Sequence, residues 1–127
     1  WLIEDDAAVN AALALRLRSW GVHVDSLDCA AAVRAQLAAC DAAQAAAPDL
    51  IVSDQRLPDG SGIDCIALVR GHLGRTVPGV IVTGDTAPAD LASLRATGLP
   101  LLFKPFRAAD LLSLLRSALR SATQQPA

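Results

Sequence analysis

Four groups of reactive side chains stand directly after short apolar runs: Glu4-Asp5-Asp6, Ser53-Asp54, Thr83-Gly84 and Lys104-Pro105. Acids, a hydroxyl and an ammonium are the groups that hold a hard cation and stabilise a transferring phosphoryl group. Two carboxylates about 5 Å apart repel by roughly 3 kcal/mol at an effective dielectric of about 20. An assembly of Glu4, Asp5 and Asp54 therefore requires a compensating cation. Oxygen donors with no neighbouring His or Cys favour Mg²⁺, with Mn²⁺ as its substitute. A carboxylate beside such an ion can attack phosphorus. Asp54, at the end of a central run, is the candidate acceptor. Glu4 and Asp5 form the metal side, with Asp5 preferred as the direct ligand. Thr83 can bond a phosphoryl oxygen, and Lys104 can pair with both the phosphoryl group and the free carboxylate. The structural alternative for any one acid is capping of the helix that follows, a role that suits Asp6 before Ala7.

The elements that must bring these groups together alternate in type. Trp1-Leu2-Ile3, Val22-His23-Val24, Leu50-Ile51-Val52, Val80-Ile81-Val82 and Leu101-Leu102-Phe103 read as strands. Between them run helical stretches. Val9, Leu13, Leu17 and Trp20 recur at one spacing, and Leu111, Leu114, Leu115, Ala118 and Leu119 at another. Gly21 and Gly98 sit at expected helix ends, and Pro88, after Asp85-Thr86, at a helix start. The Ala-rich stretch from Cys29 to Ala47 reads as a solvated helix ending at Pro48. Five strands alternating with five helices imply βαβ units, right-handed crossovers and a parallel sheet covered on both faces. In such a doubly wound α/β fold, ligands bind beyond the carboxyl ends of the strands, where all four groups lie.

Composition narrows the class. A chain of 127 residues with 53% hydrophobic residues suits one folded domain, expected over residues 1–120 with a frayed tail at 121–127. Lys and Arg total 11 against 13 Asp and Glu, so direct nucleic-acid binding driven by charge is not expected. No apolar run approaches the ~20 residues of a membrane span. The three cysteines have no C-x-x-C spacing and read as buried thiols of a cytoplasmic protein. The composition contains no Met, which reads as a segment of a longer chain.

Taken in order, Leu2-Ile3-Glu4-Asp5-Asp6, Asp49 to Asp54 followed by Leu57-Pro58 and Gly62, Ile81-Val82-Thr83-Gly84 and Phe103-Lys104-Pro105-Phe106 resemble the receiver domain of bacterial two-component response regulators. The resemblance covers essentially the whole chain and implies a flavodoxin-like (βα)5 sheet of order 2-1-3-4-5. It also implies Mg²⁺ held by the acid pair, Asp54 and the backbone carbonyl of Arg56. Phosphoryl transfer to Asp54 would come from a histidine kinase or a histidine phosphotransfer domain, and the domain would catalyse its own phosphorylation and slow hydrolysis rather than turn over an external substrate. Other domains of the same chain, or a second copy, are the expected readers, through the last two helices and last strand. The Lys104–Pro105 bond is expected to be cis.

The chain departs from this family at Leu101, where many receivers carry a switch aromatic. Receivers of hybrid sensor kinases often lack that aromatic, and residues 81–88 resemble that subgroup. Arg56 and Asp85 are expected to flank the acceptor and could pair to gate the hydrolytic water. His23 and His72 read as surface residues, and Trp1 and Trp20 as core or rim packing. A flavin or nucleotide carrier would need a Gly-rich loop after the first strand, where acids stand instead. An aspartyl phosphatase would need an acid where Arg56 stands. A pseudo-receiver acting through binding alone is the remaining alternative.

Overall fold

The computed structural model describes residues 1–43, 47–84 and 87–124. Their elements are β1 (Leu2–Ile3), α1 (Ala7–Ser19), β2 (Ser26–Leu27), α2 (Ala30–Ala43) and β3 (Ile51–Asp54). A small antiparallel hairpin follows, β4 (Arg56–Leu57) and β5 (Gly60–Ser61), and then α3 (Gly62–Leu73). The chain ends with β6 (Gly79–Thr83), α4 (Pro88–Ala96), β7 (Leu101–Phe103) and α5 (Ala108–Gln124). Five parallel strands form the main sheet in the order β2-β1-β3-β6-β7. Counted within that sheet this is 2-1-3-4-5, as the resemblance implies.

Alternation along the strands builds two cores. On one face, Ile3, Ile51 and Ile81 pack with Val33 of α2 and with Ile66 and Val69 of α3. On the other, Leu2, Val52 and Val80 pack with Leu17 of α1 and with Leu111 and Leu115 of α5. With both faces covered, the central strands are apolar apart from Ser53 and the residues at their carboxyl ends, Asp54 and Thr83.

Side chains from near and far set the helix starts. Asp6 caps α1, its Oδ1 accepting from the Ala8 and Val9 amides at 3.0 Å each. Ser61 caps α3 through the Asp64 amide at 3.2 Å. The start of α2 is capped from across the chain: the Asp59 carboxylate, in the turn between β4 and β5, accepts from Ala30 N at 2.7 Å and Ala31 N at 2.9 Å. Gly21 and Gly98 have positive φ at helix ends, as expected, and Gly74 closes α3 with φ 67°.

Several expected boundaries move. The second strand is not Val22–Val24 but Ser26–Leu27. Val22 N–H instead donates to Leu17 O in the turn closing α1. Val24 is buried in the second core as a plug rather than a ladder residue. The buried face of α1 is Asn10, Ala14 and Leu17, with Leu13 and Trp20 flanking it and Val9 turned outward at 37% exposure. Small Ala14 permits close approach to the sheet, and Asn10 is accommodated because backbone carbonyls meet its amide. In α5, Leu111, Leu115 and Ala118 are buried, but Leu119 is 41% exposed. That helix runs to Gln124, past the boundary expected at 120, since adding residues to an existing helix costs little where none is a strong breaker. Trp1 is buried and Trp20 half-buried. None of the three cysteines forms a disulfide; Cys40 and Cys65 are buried and Cys29 is half-buried. No helix among the described residues is long and apolar enough to cross a membrane.

Candidate functional site

The turns leaving β1, β3, β6 and β7 meet at one sheet edge. Glu4 follows β1 and is buried, at 3% exposure, while the next residue, Asp5, faces solvent. Asp54 closes β3 and is half-buried. One carboxylate oxygen from each of Glu4, Asp5 and Asp54 lies within 4.8 Å of the others. Lys104, after β7, reaches into this cluster. Its Nζ donates to Asp54 Oδ2 at 3.1 Å and lies 3.5 Å from Glu4 Oε2. Thr83, the last residue of β6, is buried, and its carbonyl accepts from the Lys104 amide at 2.9 Å. The parallel pairing of β1, β3, β6 and β7 thus brings together Glu4, Asp5, Asp54, Thr83 and Lys104 from sequence-distant turns. The Lys104–Pro105 peptide is cis, as expected.

The electrostatics follow from the crowding. Burial pushes the Glu4 carboxyl above its ordinary value, and the Asp54 charge pushes it further. The Asp6 amide, donating to Glu4 Oε1 at 3.1 Å, and the Lys104 charge oppose this rise. Burial alone would lower the Lys104 ammonium, but its hydrogen bond to Asp54 and the charges of Asp54 and Glu4 outweigh burial and raise it. One ammonium therefore neutralises part of a three-acid cluster. Hard oxygen donors with uncompensated negative charge fit Mg²⁺, which uses few carboxylates and retains waters.

Several supporting contacts escape sequence reasoning. The Asn10 side chain donates to Glu4 O at 3.0 Å and Leu27 O at 3.1 Å. Gln55 Oε1 accepts from the Ile63 amide at 3.2 Å, tying the acceptor loop to α3. Buried Ser53 donates to Asp54 O at 2.9 Å. The partners of all three are backbone groups, which no residue pattern reveals. Gly62 is legible only in part: a Cβ there would lie 2.5 Å from Asp54 O and 2.8 Å from Ser53 Oγ, so the acceptor strand and α3 meet where only hydrogen fits.

Arg56 lies in β4 and is exposed. Its expected partner Asp85 lies outside the described residues. His23 is exposed and 3.6 Å from Asp25. His72 is exposed in the last turn of α3, the end remote from the acids. Leu101 is half-buried in β7, and the aromatic of that strand is Phe103, 39% exposed.

Comparison with known proteins agrees with this architecture. The family described as "Response regulator receiver domain" matches residues 1–116. The chain is 33% identical over 126 residues to the response regulator protein TmoT of Ectopseudomonas mendocina, covering 98% of this chain and 54% of that protein. It is 29% identical over 127 residues to the DNA-binding response regulator MtrA of Mycolicibacterium paratuberculosis, covering 99% of this chain and 53% of that one. The chain therefore spans about half the length of these curated relatives. A CheY-like receiver domain structure from Methanospirillum hungatei superposes with a TM-score of 0.79 at 20% identity, covering 98% of this chain and 95% of that one.

Proposed function

The chain belongs to the response regulator receiver domain family, and from that premise we propose that Asp54 is the carboxylate through which it takes part in two-component phosphorelay signalling. The observation that carries the assignment is the Lys104 bridge between Asp54 and Glu4 within a cluster of three acids. Glu4, Asp5, Asp54 and the Arg56 carbonyl hold Mg²⁺, or Mn²⁺ in its place. When bound, the ion neutralises the acids and draws negative charge from the phosphoryl oxygens.

The residues of the chain divide the remaining work. Asp54 supplies the nucleophilic oxygen. A bond forms from that oxygen to phosphorus as the phosphorus–nitrogen bond of a donor phosphohistidine breaks, and the departing imidazole takes up a proton. Lys104 holds the Asp54 carboxylate in place beforehand and follows the charge as it moves onto the phosphoryl oxygens. The Thr83 hydroxyl donates to one of those oxygens. The donor is a histidine kinase or a histidine phosphotransfer domain in the cytoplasm. Water later cleaves the acyl phosphate slowly at the same site, so the domain returns itself to the unmodified state. Other domains of the same chain, or a second copy, read the change. The receiver span expected over residues 1–120 carries this activity, and its last helix, α5, continues to Gln124.

Intact mass after incubation with a small acyl phosphate tests the assignment. A phosphoryl adduct is expected for the wild type with Mg²⁺, greatly reduced in EDTA and absent in Asp54→Asn. An adduct that survives in Asp54→Asn would place the acceptor elsewhere. No adduct in any sample would leave a domain that works by binding alone.

A further inference from the structure

We propose that Asn10 is the positioning residue of the acid cluster, holding the turn after β1 so that Glu4, Asp5 and Asp54 together bind a divalent cation. The inference rests on the reading of these acids as a metal site. Asn10 lies on the buried face of α1 at 9% exposure, where helical periodicity alone would place an aliphatic residue. A buried amide is costly unless it is hydrogen-bonded.

Here the amide bonds are spent on the metal-site turn. Asn10 Nδ2 donates to Glu4 O at 3.0 Å and to Leu27 O at 3.1 Å. Leu27 O also accepts from the Glu4 amide at 3.0 Å, and the Asn10 amide donates to Asp6 O at 2.8 Å. Asn10 thus closes a ring that joins both backbone groups of Glu4 to the end of β2. The Glu4 carbonyl shares a planar peptide unit with the Asp5 amide, so fixing one orients the other. Asp5 is exposed, and its carboxylate is directed by its backbone rather than by packing. Residues that orient ligands from behind typically change metal affinity by about 10–100-fold when removed.

The test is a Mg²⁺ titration of the folded domain followed by backbone amide resonances, in the wild type, Asn10→Leu, Asn10→Ser and Val69→Ala. Leu keeps the shape of Asn10 without its donors. Ser is the smaller variant that carries the test should Asn10→Leu fail to fold. Val69 is buried in the opposite core, so Val69→Ala shows the effect of lost stability alone. Both Asn10 variants are expected to bind Mg²⁺ at least about tenfold more weakly, with Asp5 and Asp6 amides displaced even without the ion. Val69→Ala is expected to keep wild-type affinity. Wild-type affinity in a folded Asn10 variant overturns the proposal, as does an equal loss in Val69→Ala. A wild type that binds no Mg²⁺ overturns the metal reading itself, a result distinct from an unaffected variant.

Discussion

At Gly62 a single hydrogen separates the acceptor strand from α3. The Cβ of an alanine would lie 2.5 Å from Asp54 O and 2.8 Å from Ser53 Oγ, so either the helix or the acceptor must move. Overpacking of this kind costs about 1–3 kcal/mol. Gly62→Ala is therefore expected to lower the urea midpoint by that equivalent and to slow phosphoryl uptake, both measurable on one preparation. The two effects arise together because the atoms in conflict belong to Asp54 and its neighbour. Much of the site was legible at this scale. Glu4, Asp5, Asp54, Thr83 and Lys104 are reactive types placed after apolar runs, and a parallel sheet must bring such positions to one edge. Asn10, Gln55 and Asp59 were not legible, since what they bind is main chain whose position exists only after folding.

At the scale of the element, α2 has its first two amides satisfied from far along the chain, while the adjacent Cys29 Sγ accepts only from Ala32 N at 3.4 Å. Its first amides are bonded by Asp59, 29 residues away from Ala30. Those two amide bonds hold the Asp59 carboxyl below its ordinary value of 3.8. The stabilisation is thus fully present above pH 3.8 and is lost as pH falls through the lower folded value. Asp59→Asn keeps one acceptor and turns an amide group toward the second N–H. Its melting temperature is expected below that of the wild type at pH 7, the difference shrinking once the pH is well below 3.8. Faster hydrogen exchange at Ala30 and Ala31 would place the loss at the start of α2. Elements were also where sequence reasoning slipped. Val22–Val24 has the composition of a strand, but β2 is an edge strand whose ladder begins where the chain comes alongside β1, at Ser26. In α1 the apolar spacing points to Val9, Leu13, Leu17 and Trp20 as the inner face, yet a polar residue with good partners, Asn10, begins the buried face that continues through Ala14 and Leu17.

For the molecule as a whole, the acids set a conflict between stability and readiness. Three carboxylates with one ammonium between them hold the folded state together less well than three neutral groups would, and a divalent ion reverses the balance. A ligand that binds only the folded chain stabilises it by RT ln(1 + [L]/Kd), about 2.7 kcal/mol at one hundred times Kd. Urea unfolding is expected to shift to higher midpoint as Mg²⁺ is added and to return in EDTA. Asp5→Asn is expected to match or exceed the wild type in EDTA and to lose most of the Mg²⁺ response. An equal response in that variant would remove Asp5 from the metal side.

The hairpin of β4 and β5 has a practical consequence of another kind. Leu57-Pro58-Asp59-Gly60 looks like the turn an engineer would open to graft a peptide or split the chain, being short and exposed at its tip. It is a poor choice. Its tip is the cap of α2 through Asp59, its first strand begins two residues after Asp54, and its second strand ends at the cap of α3, Ser61. A cut or insertion between Asp59 and Gly60 would loosen two helix starts at once and free the loop that carries Asp54. The turn after α3, closed by Gly74 in the left-handed conformation at the opposite end of that helix, is the better place to open this chain.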